Sequence, residues 1–363
     1  MSARAAIVGV GTSVPPCSIA RDDSVRLAMG LAPGLSARGV AGMYERSGVD
    51  RRGSVLLNAD GSQSFYAPTH DPTTRERMQR FAREAGTLAA SACRDALTRA
   101  GVSPVGVTHV VTASCTGFSA PGVDQALVES LGLPTCVERT HIGFMGCHAA
   151  VNALRVAGAF ARAHERAVVL VCCAELSSLH YQFGDAAADS VVANALFADG
   201  AAAAVVSRSD SGLAIRSTSS ALIPGTRDLM SWTIGDHGFV MTLSPKVPDV
   251  LASEVPGWIG GWLGRNGQTA ADIDRWAIHP GGPRLLRAVA GALSLREEQW
   301  ADSREVLAQH GNMSSPTVLF ILDRLVRRGV TGPIAMLAFG PGLAAEGVLL
   351  DPSDLQPVLP CSR

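Results

Sequence analysis

The sequence predicts an α/β fold built twice over. Three observations carry this reading. Strands alternate with helices along both halves of the chain. The strand runs are apolar throughout rather than alternating, as in sheets covered on both faces. Each half also closes on a Gly-rich hairpin, "FADGAAAAVV" and "FGPGLAAEGVLL". A boundary is expected near residue 210, giving halves 1–210 and 211–363. A chain of 363 residues is long enough for two such units.

Taken in order, "AAIVGVGTSVPP" is a short apolar run stopped by Gly, Ser and Pro, a buried strand. Residues 34–74 are polar and rich in Gly and Pro, with a basic pair at Arg51 and Arg52. Phe81, Ala85, Leu88, Ala92 and Ala96 recur at helical spacing, and Gly101 ends that helix. "HVVTASCTG" reads as a strand entering a turn, Cys147 opens a helix over 147–164, and "AVVLVCCAEL" is a fully buried strand. "LFADGAAAAVVSRSD" is expected to turn at Asp199–Gly200 into a strand, and "GLAIRSTSSAL" and "RWAIHPGG" follow as strands. The helix over 314–329 reads as punctuated by Ser315 at the N-cap, Pro316 at the first turn and Gly329 past the end. "PIAMLAFGPGLAAEGVLL" is two strands joined by a Gly/Pro loop.

Composition narrows the function. The net charge of −1 gives no broad electrostatic case for nucleic acid or anionic membrane as partner. No uninterrupted apolar run reaches about 18 residues, so no membrane span is expected. The eight cysteines are Cys17, Cys93, Cys115, Cys136, Cys147, Cys172, Cys173 and Cys361, and none form a CxxC pair. A zinc ribbon or thioredoxin motif is therefore unsupported and no metal is expected. The apolar stretch of "MSARAAIVGVG" is too short for a secretory signal, so a reducing, cytoplasmic compartment is expected, with the cysteines as thiols.

Three segments suggest chemistry. Cys147 in "FMGCHAA" sits at a helix start, where free N–H groups and the helix dipole favour thiolate. His279 in "AIHPGGP" ends a buried strand, and Asn312 in "HGNMSSP" precedes a helix. Side chains at such termini converge readily. A thiolate carrying an acyl group, with imidazole and amide donors to a carbonyl oxygen, makes an acyl-transfer site.

The wording of these segments decides their weight. "WAIHPGGP", "GNMSSPTVLFILD", "LFADGAAAAVV" and "FGPGL" closely match the signatures of type III polyketide synthases, and from about residue 75 to 350 the chain resembles these chalcone synthase-like enzymes of the thiolase superfamily. The resemblance implies a five-layered αβαβα thiolase-like fold and a homodimer. It implies Cys147 as the acyl-loading nucleophile and His279 with Asn312 as the decarboxylation and oxyanion pair. The substrates it implies are an acyl-CoA starter and malonyl-CoA, with no cofactor and with an acyl carrier protein as an alternative donor of the starter.

The same resemblance places Phe197 at the junction of the CoA tunnel and the reaction cavity. Met241 stands where plant members carry a second gatekeeping Phe, and Trp232 where they carry a cavity-lining Gly. Cys115 replaces a Thr and His180 another small cavity residue. Glu175 matches a buried Glu, which with Cys115 and Ser314 would form the network that steers cyclisation in some relatives. Cys is a weak hydrogen-bonding partner, so that route is weakened. Arg51 and Arg52 match a basic cluster that binds CoA phosphates. His148, after the nucleophile, reads as a solvent-facing helical residue.

The expected reaction is iterative decarboxylative condensation, then closure to a pyrone, resorcinol or related aromatic ring. Two alternatives differ in kind. One is a single-condensation ketosynthase resembling ketoacyl synthase III, although "HPGGPRLL" lacks that family's Gln-Ala-Asn tract. The other is a non-catalytic thiolase-fold subunit, which would carry no acyl group.

Overall fold

The computed structural model describes residues 4–31, 36–183 and 188–353. Cys361 lies outside the described residues. The first half runs β1 (Arg4–Ser13), β2 (Ser18–Ala20), α1 (Arg21–Leu31), α2 (Ala37–Arg46), β3 (Arg51–Gly53), α3 (Thr74–Ala100), β4 (His109–Ser114), α4 (Val123–Leu131), β5 (Glu138–Gly143), α5 (Ala149–Ala163), β6 (Val168–Leu176), α6 (Ala188–Leu196) and β7 (Asp199–Ser209). The second runs β8 (Gly212–Leu222), β9 (Met230–Gly235), β10 (Gly238–Leu243), α7 (Val247–Arg265), β11 (Arg275–Ile278), α8 (Pro283–Ala292), α9 (Glu297–His310), α10 (Thr317–Arg327), β12 (Ile334–Gly340) and β13 (Ala344–Ser353).

The main sheet has the order β11-β12-β13-β8-β1-β7-β6-β4-β5. Its two sides repeat one plan. β1 pairs antiparallel with β7, β7 antiparallel with β6, and β6 parallel with β4. Likewise β8 pairs antiparallel with β13, β13 antiparallel with β12, and β12 parallel with β11. Antiparallel pairing of β1 with β8 joins the halves.

Alternate residues of each strand face different layers. Val111, Val171, Ala202, Met336 and Val348 point into the central core, which α5 and α10 fill. Val110, Leu170 and Ala203 point out to α3, while Trp276, Leu337 and Leu349 point out to α7 and α8. The result is the layered αβαβα arrangement.

α3 starts at Thr73, whose hydroxyl takes the Glu76 N–H while the Glu76 carboxylate takes the Thr73 N–H, and it ends at Gly101 in the left-handed region (φ 64°). It lies directly on β1. A Cβ at Gly11 would come within 2.3 Å of the Ala92 carbonyl oxygen, so only glycine permits the approach.

Two expectations of local structure fail. "FADGAAAAVV" is not a hairpin. Asp199 and Gly200 lie inside β7, which pairs with β6 and β1. The buried Asp199 carboxylate accepts hydrogen bonds from Ser178 and from the Val55 N–H, which holds the chain extended there. Ser315 is not a helix cap either. Pro316 occupies that place without a side-chain cap, and the Ser315 hydroxyl donates instead to Glu175 at 2.7 Å.

Candidate active site

Cys147 sits in a single 3₁₀ turn, Gly146–His148, that runs into α5. Gly146 has φ 76°, and a Cβ there would meet Pro341 Cδ at 2.7 Å, so the turn is pressed against the β12–β13 loop. α5 and α10 lie side by side in the central core, which brings their leading turns together. Ser314 shares a cavity wall with Cys147, and the Ser314 and Asn312 side chains favour the ionised form of the thiol. Asn312 is buried, and its Oδ1 accepts the Ser314 N–H at 2.8 Å. Its Nδ2 is thereby the end left to donate to a ligand or to the thiol.

His279 follows β11, and its N–H is held by the Leu337 carbonyl at 2.7 Å. The imidazole is buried, and among the described residues neither Nδ1 nor Nε2 has a hydrogen-bond partner. Buried polar atoms are rarely left so, which marks the ring as kept for a ligand. Burial, and His148 close by, push His279 down to about 3. Burial pushes the Cys147 thiol up to about 11, against the pull of Ser314 and Asn312. The thiolate expected from the helix start is thus not the form this conformation favours, because desolvation outweighs the turn's N–H groups. Thiol and imidazole are both held neutral.

Glu175, fully buried, stands below the nucleophile. It accepts from Thr116 Oγ1 at 2.6 Å, Ser315 Oγ at 2.7 Å, the Cys115 N–H at 2.9 Å, Ser114 Oγ at 3.2 Å and Cys115 Sγ at 3.3 Å. Burial raises its pKa and these donors oppose the rise. Cys115 Sγ also lies 3.4 Å from Ser314 Oγ, so Cys115, Glu175 and Ser314 form one chain, of which Cys115 and Ser314 line the cavity together with Cys147. Thr116 was not singled out in the sequence, and Ser315 was read there only as a helix cap. Each stands next to a residue singled out there, and only the strand and loop geometry shows which hydroxyl faces Glu175.

A cavity of about 630 Å³, measured out to its open mouth, is lined by Cys147, Cys115, Ser314, His180, Trp232, Met241 and Phe197 among others. Its aromatic wall has its polar atoms spent. Trp232 Nε1 donates to the Cys115 carbonyl at 2.7 Å. His180 Nδ1 accepts the Phe239 N–H at 3.0 Å, so Nε2 carries the proton and donates to the Thr116 carbonyl at 2.7 Å. Burial holds His180 neutral, down to about 3. Its ring stacks on Phe239 with centroids 4.1 Å apart. Phe239 was not singled out in the sequence. Met241 is the cross-strand neighbour of Trp232 on the β9–β10 hairpin.

Arg52 does not face a phosphate. It is buried, lies over the rings of Tyr44 and Tyr181 at 5.3 and 5.5 Å, and donates to the Asn194 and Phe197 carbonyls. Packing between two aromatic rings consumes it as a brace for the end of α6. Arg51 is exposed. His148 is likewise not at the surface, being 2% exposed.

Residues 63–210 match the family described as "Chalcone and stilbene synthases, N-terminal domain", and residues 214–353 match its C-terminal counterpart. The chain belongs to the type III polyketide synthases. As a type III polyketide synthase it is an acyltransferase that condenses acyl units iteratively and cyclises the product. It is 34% identical over 361 residues to the "Alpha-pyrone synthesis polyketide synthase-like Pks18" of Mycobacterium tuberculosis, covering 96% of this chain and 91% of that one. It is 30% identical over 360 residues to the "3,5-dihydroxyphenylacetyl-CoA synthase" of Streptomyces toyocaensis, with 96% and 90% covered. Among solved structures, PKS-I from the brown alga Ectocarpus siliculosus superposes on this polyketide synthase with a TM-score of 0.92 at 32% identity, over 97% of this chain and 99% of that one. No helix among the described residues is long and apolar enough to cross a membrane.

Proposed function

We propose that this synthase takes an acyl starter from a CoA thioester onto Cys147 and extends it with malonyl-CoA. The Cys147 thiol attacks the starter carbonyl, the carbon–sulfur bond to CoA breaks, and CoA leaves as the thiol carrying the proton that Cys147 gives up. Malonyl-CoA loses CO2 and leaves an enolate, whose oxygen takes hydrogen bonds from His279 and from Asn312 Nδ2. The enolate carbon attacks the acyl-cysteine carbonyl, the cysteine sulfur leaves, and the lengthened CoA thioester returns for another round. Closure gives a pyrone, resorcinol or related aromatic ring, and the Mycobacterium relative is named for α-pyrone synthesis. The observation that carries this reading is the pair of donors left for a ligand, His279 with both ring nitrogens unpartnered among the described residues and Asn312 with its oxygen fixed away.

In the same reading CoA thioesters are the substrates and no cofactor takes part. Phe197 and Met241 guard the entrance, Trp232 limits the cavity, and Arg51 alone of the basic pair meets the CoA phosphates. The protein works in the cytoplasm as a homodimer. The exposed edge strand β5 and the exposed Phe118 and Met145 offer the dimer surface. An acyl carrier protein is a second source of starter. Purified protein given a panel of acyl-CoAs with labelled malonyl-CoA should yield products that grow by more than one two-carbon unit. Products stopping after one condensation would favour a ketoacyl synthase III-like enzyme.

A further inference from the structure

Next to the proposed nucleophile, His148 begins a buried polar chain that crosses between the halves of the molecule. His148 Nδ1 lies 2.7 Å from Asn152 Oδ1 on α5. Asn152 Nδ2 donates to Glu346 Oε1 on β13 at 3.1 Å. Glu346 also accepts from Ser220 Oγ on β8 at 2.8 Å and pairs with Arg155. Arg155 reaches the Thr218 hydroxyl and the Ser219 carbonyl, both at 3.4 Å. His148, Asn152 and Glu346 are each less than a tenth exposed.

The chain has a direction. A carboxylate paired with arginine only accepts, so Asn152 must turn its NH2 to Glu346 and its oxygen to His148. His148 Nδ1 therefore carries the proton and donates, and Nε2 is left as a lone pair. The far edge of the ring packs on the end of β12. A Cβ on Gly340 would come within 2.4 Å of His148 Cδ2 and 3.0 Å of Nε2. Gly146, on the other side of Cys147, presses on Pro341 in the same loop. The Cys147 turn is thus gripped on both flanks by residues 340–341, and the ring that makes one grip is fixed by the second half of the fold.

We propose that His148 is a positioning residue that sets the nucleophile turn in register with the second half of the enzyme through Asn152 and Glu346. The proposal rests on Cys147 being the nucleophile. Its demand is specific. Decarboxylation needs only His279 and Asn312, whereas loading needs the sulfur in register, so loss of the His148 hydrogen bond should harm loading alone.

The test separates the two. His148→Phe keeps the ring and removes the N–H, while His148→Gln keeps an N–H for Asn152. Acyl-enzyme formation at Cys147, followed by rapid-quench intact mass, should slow about tenfold or more in His148→Phe and recover at least partly in His148→Gln. In a Cys147→Gln background, which retains the decarboxylating pair, adding His148→Phe should leave malonyl-CoA decarboxylation within about twofold. An equal fall in both reactions, or unchanged loading in His148→Phe, overturns the proposal. If His148→Phe does not fold, Glu346→Gln takes its place, with the same split expected and the same results against it. Absence of any acyl adduct on the unmodified protein would instead refute the nucleophile assignment itself.

Discussion

The Ser314 backbone N–H donates to Asn312 Oδ1 at 2.8 Å, and this one bond decides which end of the amide faces the reaction. Ser314 holds a left-handed conformation (φ 59°), unusual for a residue with a side chain, and in it its N–H meets the amide while its hydroxyl lies toward Cys115. Asn312→Asp keeps the acceptor for Ser314 but offers an oxygen where the enolate needs a donor. Malonyl-CoA decarboxylation, followed as CO2 release, should fall about a hundred- to a thousand-fold. Asn312→Ala should do the same. A loss below about threefold in both would remove Asn312 from the mechanism.

Arg51 and Arg52 should part company. Arg51→Glu should raise the KM for CoA thioesters several-fold and leave the melting temperature within a degree or two. Arg52→Met takes the guanidinium donor from the Asn194 carbonyl, while the Phe197 carbonyl keeps the Tyr181 hydroxyl at 2.8 Å, and should lower stability by about 1–3 kcal/mol in urea titrations. A raised KM in Arg52→Met at unchanged stability would contradict the bracing role.

Trp232 both walls the cavity and ties itself to the Cys115 carbonyl. Trp232→Phe should keep the product profile and cost about 1 kcal/mol for the lost hydrogen bond. Trp232→Gly should admit longer starters or further extensions, read by mass across a starter series. An unaltered product ladder with a sharply lowered melting temperature would make Trp232 purely structural.

His180 should show itself in the pH dependence of stability. Its folded pKa is about 3, against an ordinary value of 6.5. Between these values the unfolded chain binds a proton that the native ring does not, so stability is present above 6.5 and is lost as pH falls toward 3. His279 acts in the same sense, while Asp199, raised to about 6, gains stability on acidification. The informative quantity is therefore a difference. His180→Gln can serve both Thr116 and Phe239 without titrating. From pH 7 to 4.5 it should lose about 2 kcal/mol less than the unmodified protein in denaturant titrations. Parallel pH profiles would show that His180 is not buried neutral.

Much of the fold was legible because its strands are apolar on both sides and its helices carry their stops, as at Gly101. What failed were places where a local signal met a tertiary demand. Asp199–Gly200 has the letters of a turn, yet Ser178 and Val55 hold that aspartate within a strand. Ser315 has the letters of a helix cap, yet Glu175 claims its hydroxyl. In α2 the buried pair Val40 and Tyr44 is separated by glycine and flanked by charge, which hid the helix in a segment read as polar. The positions of Cys147, Asn312 and His279 could be ranked from their wording. Burial of Arg52 and His148 could not, since each depends on rings and carbonyls distant in the sequence.

The central claim is that Cys147 carries the acyl chain while His279 and Asn312 serve the malonyl enolate. Intact-mass analysis after incubation with acyl-CoA, run beside CO2 release from malonyl-CoA, tests it most directly. The unmodified protein should gain one acyl group, and Cys147→Ala none. Cys147→Gln should load nothing yet still release CO2, because its amide mimics the acylated cysteine. Acylation of Cys147→Ala at the level of the unmodified protein would contradict the account.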